Sequence, residues 1–264
     1  MDLIDTHCHL DAQEFDHDRD IVLEQCRLAG VRRLLVPATG FNNWQSVVDI
    51  CRKNPGMAPA LGLHPMFMSE HLPRHISELG FQVESVRPVA VGEIGLDFQV
   101  RDASHTTQIT LLMQQLKIAQ NANLPVILHV RKAHEQMLKC LSDSPVCGGI
   151  VHAFNGSFEQ AKRYLDLGFK LGFGGMISFP GATRLRKLAE NLPIEAIVME
   201  TDAPDMPGLG HQRQRNSPTF LPEYAAALAA IRSVSIEEIA RDTSENAIAV
   251  LGLEAIRNAR WALP

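Results

Sequence analysis

Short apolar runs alternate along this chain with longer amphipathic segments. The runs are rich in Val, Ile, Leu and Gly, and they predict eight strands at 3–7, 33–37, 58–63, 89–95, 125–129, 149–152, 170–174 and 196–201. Between them, apolar positions at helical spacing predict helices at 18–29, 44–53, 104–121, 133–141, 157–167 and 183–191. Two further helices are predicted after the last strand, at 222–232 and 236–251. This alternation is typical of repeated βα units around a parallel sheet.

The number of units favours one architecture. Eight strands within about 250 residues fit a closed (β/α)8 TIM barrel better than an open doubly wound sheet. No glycine-rich dinucleotide fingerprint follows the first strand, which removes the main reason for a Rossmann interpretation. Because no linker, charge block or low-complexity stretch interrupts the pattern, we predict one domain over residues 1–264.

Composition narrows the class of protein. The chain of 264 residues is 45% hydrophobic and 21% charged, which is typical of a globular protein. It has no apolar stretch of the roughly 18 residues that a membrane span needs and no secretory signal, so we expect a cytoplasmic protein without membrane contact. Five cysteines without a CxxC pair predict free thiols. The net charge of −5 gives no broad basic surface, so a nucleic-acid substrate would have to be held locally.

Two histidines close the first predicted strand. His7 and His9 are two residues apart, and side chains at i and i+2 of a strand point to the same face. Both imidazoles can therefore reach one metal ion.

Metal-binding side chains also occupy the ends of the other predicted strands. Chemistry in a TIM barrel lies at the carboxyl ends of its strands, so residues at those ends are expected to converge. Of eleven histidines, five fall there. The complete set of candidates is His7, His9, His64, Glu93, His129, His152, Glu200 and Asp202.

The number of candidates indicates two ions. Four imidazoles with Glu93 and Asp202 exceed what one tetrahedral ion with an open position requires. We expect one ion on His7, His9 and Asp202, the other on His129 and His152, and Glu93 between them. Mixed nitrogen and oxygen ligands favour Zn, Mn, Ni or Co over Mg.

The sequence resembles the TatD family of metal-dependent hydrolases over nearly the whole chain. The resemblance lies in the HxH strand, in 62–65 (GLHP), 92–97 (GEIGLD), His129 with Arg131, 152–156 (HAFNG) and 200–204 (ETDAP). It implies a barrel of the amidohydrolase type, a divalent-metal site and hydrolysis of ester bonds, with deoxyribonuclease activity in some members. It also implies the ligands His7, His9, Glu93, His129, His152 and Asp202, with His64 close to the metals.

The residues suggest an attack by metal-activated water on phosphorus or a carbonyl carbon. Asp202 can orient or deprotonate that water, or act as a ligand alone. His64 can hydrogen-bond a substrate oxygen or protonate the leaving group. For substrate binding we consider Arg131, Arg215 and Glu200, because guanidinium groups pair well with phosphate and Glu200 lies two residues before Asp202 on the same strand.

Three interpretations remain open from the sequence. The first is a phosphodiesterase or deoxyribonuclease acting on DNA or a small phosphoester. The second is an amidohydrolase-like enzyme for a small amide, lactone or carboxylic ester, which a closed cavity without arginines would favour. The third, a binding scaffold without catalysis, is disfavoured by the intact ligand set. No obligate protein partner is inferred, and the sequence leaves the oligomeric state open.

Overall fold

A parallel sheet of eight strands forms the centre of the molecule. The computed structural model describes residues 1–101 and 104–252. Each strand pairs with its sequence neighbour in the order β1 to β8. The strands are β1 (Leu3–Asp5), β2 (Val31–Pro37), β3 (Met57–Leu61), β4 (Ala90–Asp97), β5 (Val126–Arg131), β6 (Gly149–Val151), β7 (Phe169–Phe173) and β8 (Ile197–Met199). The predicted (β/α)8 barrel is confirmed, because eight parallel strands with intervening helices form a nearly closed barrel.

Helices follow the strands in the expected alternation. They are α1 (Arg19–Ala29), α2 (Trp44–Lys53), α3 (Arg74–Val86), α4 (His105–Ala122), α5 (His134–Asp143), α6 (Phe158–Asp166), α7 (Thr183–Asn191), α8 (Leu221–Arg232) and α9 (Ile236–Leu251). Two have a capping box in which a serine and the residue three positions later satisfy each other's backbone N–H: Ser157 with Gln160 and Ser235 with Glu238.

One helix was absent from the sequence prediction. Helix α3 buries Leu79, Val83 and Val86 at helical spacing, so its apolar pattern was present. Gly80 in its middle lowers the intrinsic preference for helix, and Phe81 on its outer side is 68% exposed. Tertiary packing of the inner face decides the conformation of this segment.

The last strand returns to the first. Thr6 N–H donates to Met199 O at 3.0 Å, Asp202 N–H to His7 O at 2.8 Å, and His9 N–H to the carbonyl of the residue after Asp202 at 2.7 Å. These backbone bonds join the two segments that carry the HxH pair and the ETD sequence, although the segments are about 200 positions apart in the chain.

The barrel buries most residues of its strands. All eight residues of β4 are buried, because one face of the strand fills the barrel interior and the other packs against helices. Within residues 1–101 and 104–252, no helix is both long enough and apolar enough to span a bilayer. All five cysteines lie in the described ranges and are free thiols, as predicted.

Candidate metal centre

The candidate ligands meet at the carboxyl end of the barrel. Glu93 lies within β4 and His129 within β5, and the others follow the ends of β1, β3, β6 and β8. Each strand delivers its side chain to the same end because the strands are parallel. The structure brings together all seven of these residues: His7, His9, His64, Glu93, His129, His152 and Asp202.

Glu93 is the centre of the cluster. Its side chain is 3% exposed, and its two carboxylate oxygens face different imidazoles. Atom Oε2 lies 3.1 Å from His7 Nε2 and 3.7 Å from His9 Nε2. Atom Oε1 lies 3.1 Å from His64 Nε2, 3.1 Å from His129 Nδ1 and 3.7 Å from His152 Nε2. One carboxylate therefore connects two groups of nitrogen atoms.

Asp202 faces the same centre from the opposite segment. Its Oδ1 is 3.7 Å from Nε2 of both His7 and His9, and its Oδ2 is 3.9 Å from His152 Nε2. The residue has φ of 59°, in the left-handed region that aspartate tolerates better than most residues. This turn aims the carboxylate back over the strand ends.

Three imidazoles are oriented by a partner on the nitrogen that faces away from the centre. His9 Nδ1 lies 3.2 Å from the carbonyl of Pro37, and His129 Nε2 lies 3.1 Å from Asp97 Oδ2. His152 Nδ1 is 3.2 Å from Glu200 Oε1. An acceptor at one ring nitrogen keeps a proton there, so the other nitrogen can offer its lone pair to a metal ion once that ion displaces any second proton. This is the arrangement that metal-binding histidines need.

His64 differs from the others. Its Nδ1 accepts the N–H of Met66 at 3.1 Å, so in the neutral ring Nε2 carries the proton and donates it to Glu93 Oε1. Burial lowers the pKa of His64, which favours that neutral form. His64 is thus placed to orient Glu93.

The titratable groups of the cluster shift one another's pKa values. Burial lowers the pKa of His152, but Asp202, Glu200 and Glu93 outweigh it and raise that pKa to about 10. Burial raises the pKa of Asp202 to about 6 against the opposing effect of His152 and His9. Burial would also raise the pKa of Glu93, yet the surrounding imidazoles hold it well below its usual range. A bound cation would stabilise the charged forms of Glu93 and Asp202.

The donor set fits divalent metal ions. Three groups bring their ligand atoms within 4.8 Å of one another: His7, His9 and Asp202; His7, Glu93 and His152; His64, Glu93 and His129. Imidazole nitrogen with carboxylate oxygen suits the borderline divalent ions of the first transition row. The Glu93 side chain is 3% exposed and that of Asp202 16% exposed, and buried carboxylates are costly without a counter-charge.

Two supporting carboxylates were missed by the sequence prediction. Asp97 holds the outer nitrogen of His129, and it lies four positions after Glu93 on the same face of β4. Asp5 accepts hydrogen bonds from Thr201 N–H at 3.0 Å, from the Thr201 hydroxyl at 2.6 Å and from His7 N–H at 3.2 Å. The two-residue period of the strands was the available signal for both.

Glu200 and Gly172 form a matched pair. Besides facing His152, Glu200 Oε1 accepts the N–H of Ala153 at 2.6 Å, and the residue is 1% exposed. A Cβ atom at Gly172 would collide with the Glu200 carboxylate, so only glycine leaves that space. Glu200 was a candidate for substrate binding from the sequence alone; in the fold it lies behind His152 and faces that ring.

The two arginines considered for substrate binding lie in different surroundings. Arg131 ends β5 with a side chain 54% exposed, and its Nη1 lies 3.9 Å from Asp97 Oδ2. Arg215 instead makes a two-pronged ion pair with Asp18, at 2.6 and 2.9 Å, and lies over the ring of Phe15. Of these two arginines, Arg131 therefore lies beside the metal centre, and the described contacts of Arg215 lie elsewhere.

A cavity of 790 Å³ opens beside the cluster on the side of β5 to β8. Its wall contains His129, His152 and Asp202 from the centre, and Arg131 and Arg184 from the rim. Apolar side chains of Phe173, Met176, Leu185 and Leu188 line the remainder. A substrate in this cavity would reach the candidate ligands directly.

Comparison with known proteins decides the family. The family model for TatD related DNase matches residues 4–252. This chain belongs to the TatD family. The prediction from the sequence is confirmed, and the protein is a metal-dependent hydrolase of that family.

Individual relatives agree with the family assignment. The chain is 39% identical to an uncharacterized metal-dependent hydrolase, YjjV, of Escherichia coli K12, over 92% of this chain and 95% of that protein. It is 31% identical to the 3'-5' ssDNA/RNA exonuclease TatD of Erwinia amylovora, over 95% of this chain and all of that protein (100%). The crystal structure of YjjV superposes with a TM-score of 0.90 at 38% identity, covering 94% of this chain and 97% of the other.

Proposed function

We propose that this TatD family member is a divalent-metal-dependent phosphodiesterase acting on DNA, with two metal ions bridged by Glu93. The observation that carries the proposal is the position of the Glu93 carboxylate, whose two oxygens face two separate groups of imidazoles. His7, His9 and Asp202, whose ligand atoms lie within 4.8 Å of one another, would hold one ion. His129 and His152, which both face Glu93 Oε1, would hold the other. When bound, such ions lower the pKa of water and stabilise negative charge in the transition state.

The protein's own groups supply orientation and proton transfer. Asp202 directs Oδ1 toward His7 and His9 and Oδ2 toward His152, so one oxygen can bind an ion while the other faces the attacking water; we assign it the role of orienting and deprotonating that water. His64 donates to Glu93 and keeps that carboxylate turned toward the centre. Because both of its ring nitrogens are engaged, we assign it this positioning role and no direct contact with substrate.

Two observations favour a phosphodiester over a carbonyl substrate. Arg131 and Arg184 line the cavity beside the centre, and a guanidinium pairs well with phosphate oxygens. The exonuclease of Erwinia amylovora aligns over nearly the whole chain. A small ester, lactone or amide remains the alternative substrate class, which the apolar side chains of the same cavity could accommodate.

The free thiols support a proposal for the cellular compartment. Five free cysteines, four of them buried, are compatible with a reducing environment. We therefore place the proposed activity in the cytoplasm.

The test is turnover by chelator-stripped protein after Mg, Mn, Zn, Ni or Co is restored. Single-stranded DNA, a small phosphodiester and a panel of carboxylic esters and amides would be assayed beside Asp202→Asn. Metal-dependent release of nucleotides that this variant lacks would support the proposal. Turnover of the carbonyl substrates alone would contradict it and favour the amidohydrolase-like alternative.

A further inference from the structure

A second cavity continues the first along α7. It has a volume of 450 Å³ and is lined by Gly156, Ser157, Phe158, Arg184, Lys187, Leu188 and Asn191. Arg184 and Leu188 line both cavities, so the two meet at α7. Together they form a cleft that leads from Asp202 at the metal centre to Lys187 at the surface. We call it the α7 cleft.

The outer part of the α7 cleft carries positive charge in a protein whose net charge is negative, whereas the inner cavity also contains Glu200, Asp202 and Asp205. Arg131 lies at its inner end, Arg184 at the junction of the cavities and Lys187 in the outer cavity. The described residues that line the outer cavity include no acidic side chain. Arg184 and Lys187 are three positions apart on α7, so they share one face of the helix, about 5–6 Å apart at their Cβ atoms. With a net charge of −5, this cationic stripe is a local feature.

The guanidinium of Arg184 is held in place. Its Nη2 donates to the carbonyl of Asn155 at 2.7 Å and its Nη1 to that of Gly156 at 3.4 Å. Both carbonyls belong to the loop that follows His152, so the position of Arg184 is tied to a candidate ligand strand. A guanidinium has five N–H donors, and two such bonds leave others for an anion. Arg184 is exposed and can be reached from solvent.

We propose that Arg184 and Lys187 form a phosphate-binding track for a single-stranded nucleic acid, which holds the part of the strand that extends away from the scissile phosphate. This inference rests on the proposed function and assigns the polymer to one side of the metal centre. Proteins that bind single strands use a positively charged groove that follows the backbone. A mononucleotide would engage the inner cavity alone, whereas only a longer strand can reach from Asp202 to Lys187.

Binding tests the track without turnover. A fluorescein-labelled single strand with phosphorothioate linkages is titrated into metal-loaded protein, and anisotropy is measured at several salt concentrations. Arg184→Gln and Lys187→Gln should each weaken binding by roughly three- to tenfold, with the charge-assisted bond to Arg184 the larger effect. Each should also reduce the slope of log K against log salt by about 0.7. Arg184→Lys should recover part of the lost affinity.

The matched controls are Arg163→Gln on α6 and Lys139→Gln on α5. Both residues are exposed cations outside the two cavities, so each variant changes net charge equally without touching the α7 cleft. If Arg184→Gln and Lys187→Gln bind the strand as well as these controls do, the track is wrong.

Kinetics separates the track from the proposed function. Lys187→Gln should lower kcat/KM for an oligonucleotide by roughly three- to tenfold and leave turnover of bis(p-nitrophenyl) phosphate unchanged, because Lys187 lines only the outer cavity, which that diester does not reach. Equal losses on both substrates would overturn the track. If the wild type hydrolyses neither phosphodiester, the proposed function fails, while the anisotropy result still decides whether the track exists. If only the anisotropy prediction fails, diester turnover keeps the proposed function.

Discussion

In the metal centre, three imidazoles have a fixed partner on their outer nitrogen, whereas in the α7 cleft the cationic side chains project toward solvent. The ligand side chains are at most 18% exposed, and Arg131 is 54% exposed. A buried cluster held by Asp97, Glu200 and backbone carbonyls has one geometry. The exposed arginines and lysine can be exchanged at small cost to folding. The proposed function therefore assigns the reacting geometry and the substrate preference to different parts of the molecule.

The largest expected effect comes from the centre of the ligand cluster. Glu93→Ala should reduce turnover by at least about a thousandfold and lower the metal bound per protein, because it removes the carboxylate that faces both groups of imidazoles. Metal content by elemental analysis and kcat would be measured together. Glu159→Ala, an exposed glutamate on α6, is the control, and full activity in Glu93→Ala would refute the bridging role.

A smaller loss of metal affinity is expected when a residue that contacts a ligand is changed. Asp97→Asn should weaken metal binding by roughly 10- to 100-fold with the ligands intact, because His129 loses the carboxylate on its outer nitrogen. Competition with a chromogenic chelator would measure the affinity. Gly172→Ala should have a similar effect through Glu200 and His152. Unchanged affinity in both variants would show that these partners do not orient the ligands.

The pH dependence of metal binding tests the electrostatics of the same cluster. In the metal-free protein the pKa of His152 is raised to about 10, so its ring carries a proton at neutral pH that a metal ion must displace. Affinity should therefore rise about tenfold per pH unit between roughly pH 6.5 and 8 for this one proton.

Below pH 6 the slope should steepen, because the pKa of Asp202 is raised to about 6 and that carboxylate then also binds a proton. Calorimetry in buffers of different ionisation enthalpy counts the released protons. Metal binding without proton release would contradict the raised pKa of His152.

In the cleft the expected effects concern the substrate and spare the metals. Arg131→Ala should leave bound metal unchanged and raise KM for a phosphodiester by roughly tenfold, with kcat little affected. Arg131→Lys, which keeps the charge, should retain part of the affinity. Loss of metal in Arg131→Ala would instead indicate that its contact with Asp97 supports His129.

Arg215 gives the smallest effect. Because its guanidinium is paired with Asp18, Arg215→Ala should change KM by less than about twofold and lower the free energy of unfolding by about 1 kcal/mol. Denaturation of Arg215→Ala, Asp18→Ala and the double variant would measure the coupling of the pair. A large increase in KM would mean that Arg215 leaves Asp18 to bind substrate.

Much of the centre was predictable because strand periodicity is local. His7 and His9 share a face at i and i+2, and histidines and carboxylates at the ends of parallel strands must converge. Asp97 could have been found by the same reasoning, from its spacing to Glu93. Helix α3 was harder, since Gly80 weakens a pattern that only packing restores.

The sequence by itself determined the barrel, the alternation of its elements and the identity of the groups that meet at the strand ends. Tertiary structure decided which partner each side chain finds. Arg131 and Arg215 were both candidates for substrate binding, but Arg131 ends β5 beside the centre, whereas Arg215 pairs with Asp18, 197 positions away in the chain. Likewise Arg184 on α7 becomes part of a cleft only where its helix packs beside the loop after His152. Strand periodicity is written in neighbouring residues, whereas contacts between distant helices and loops depend on how the closed barrel brings them together.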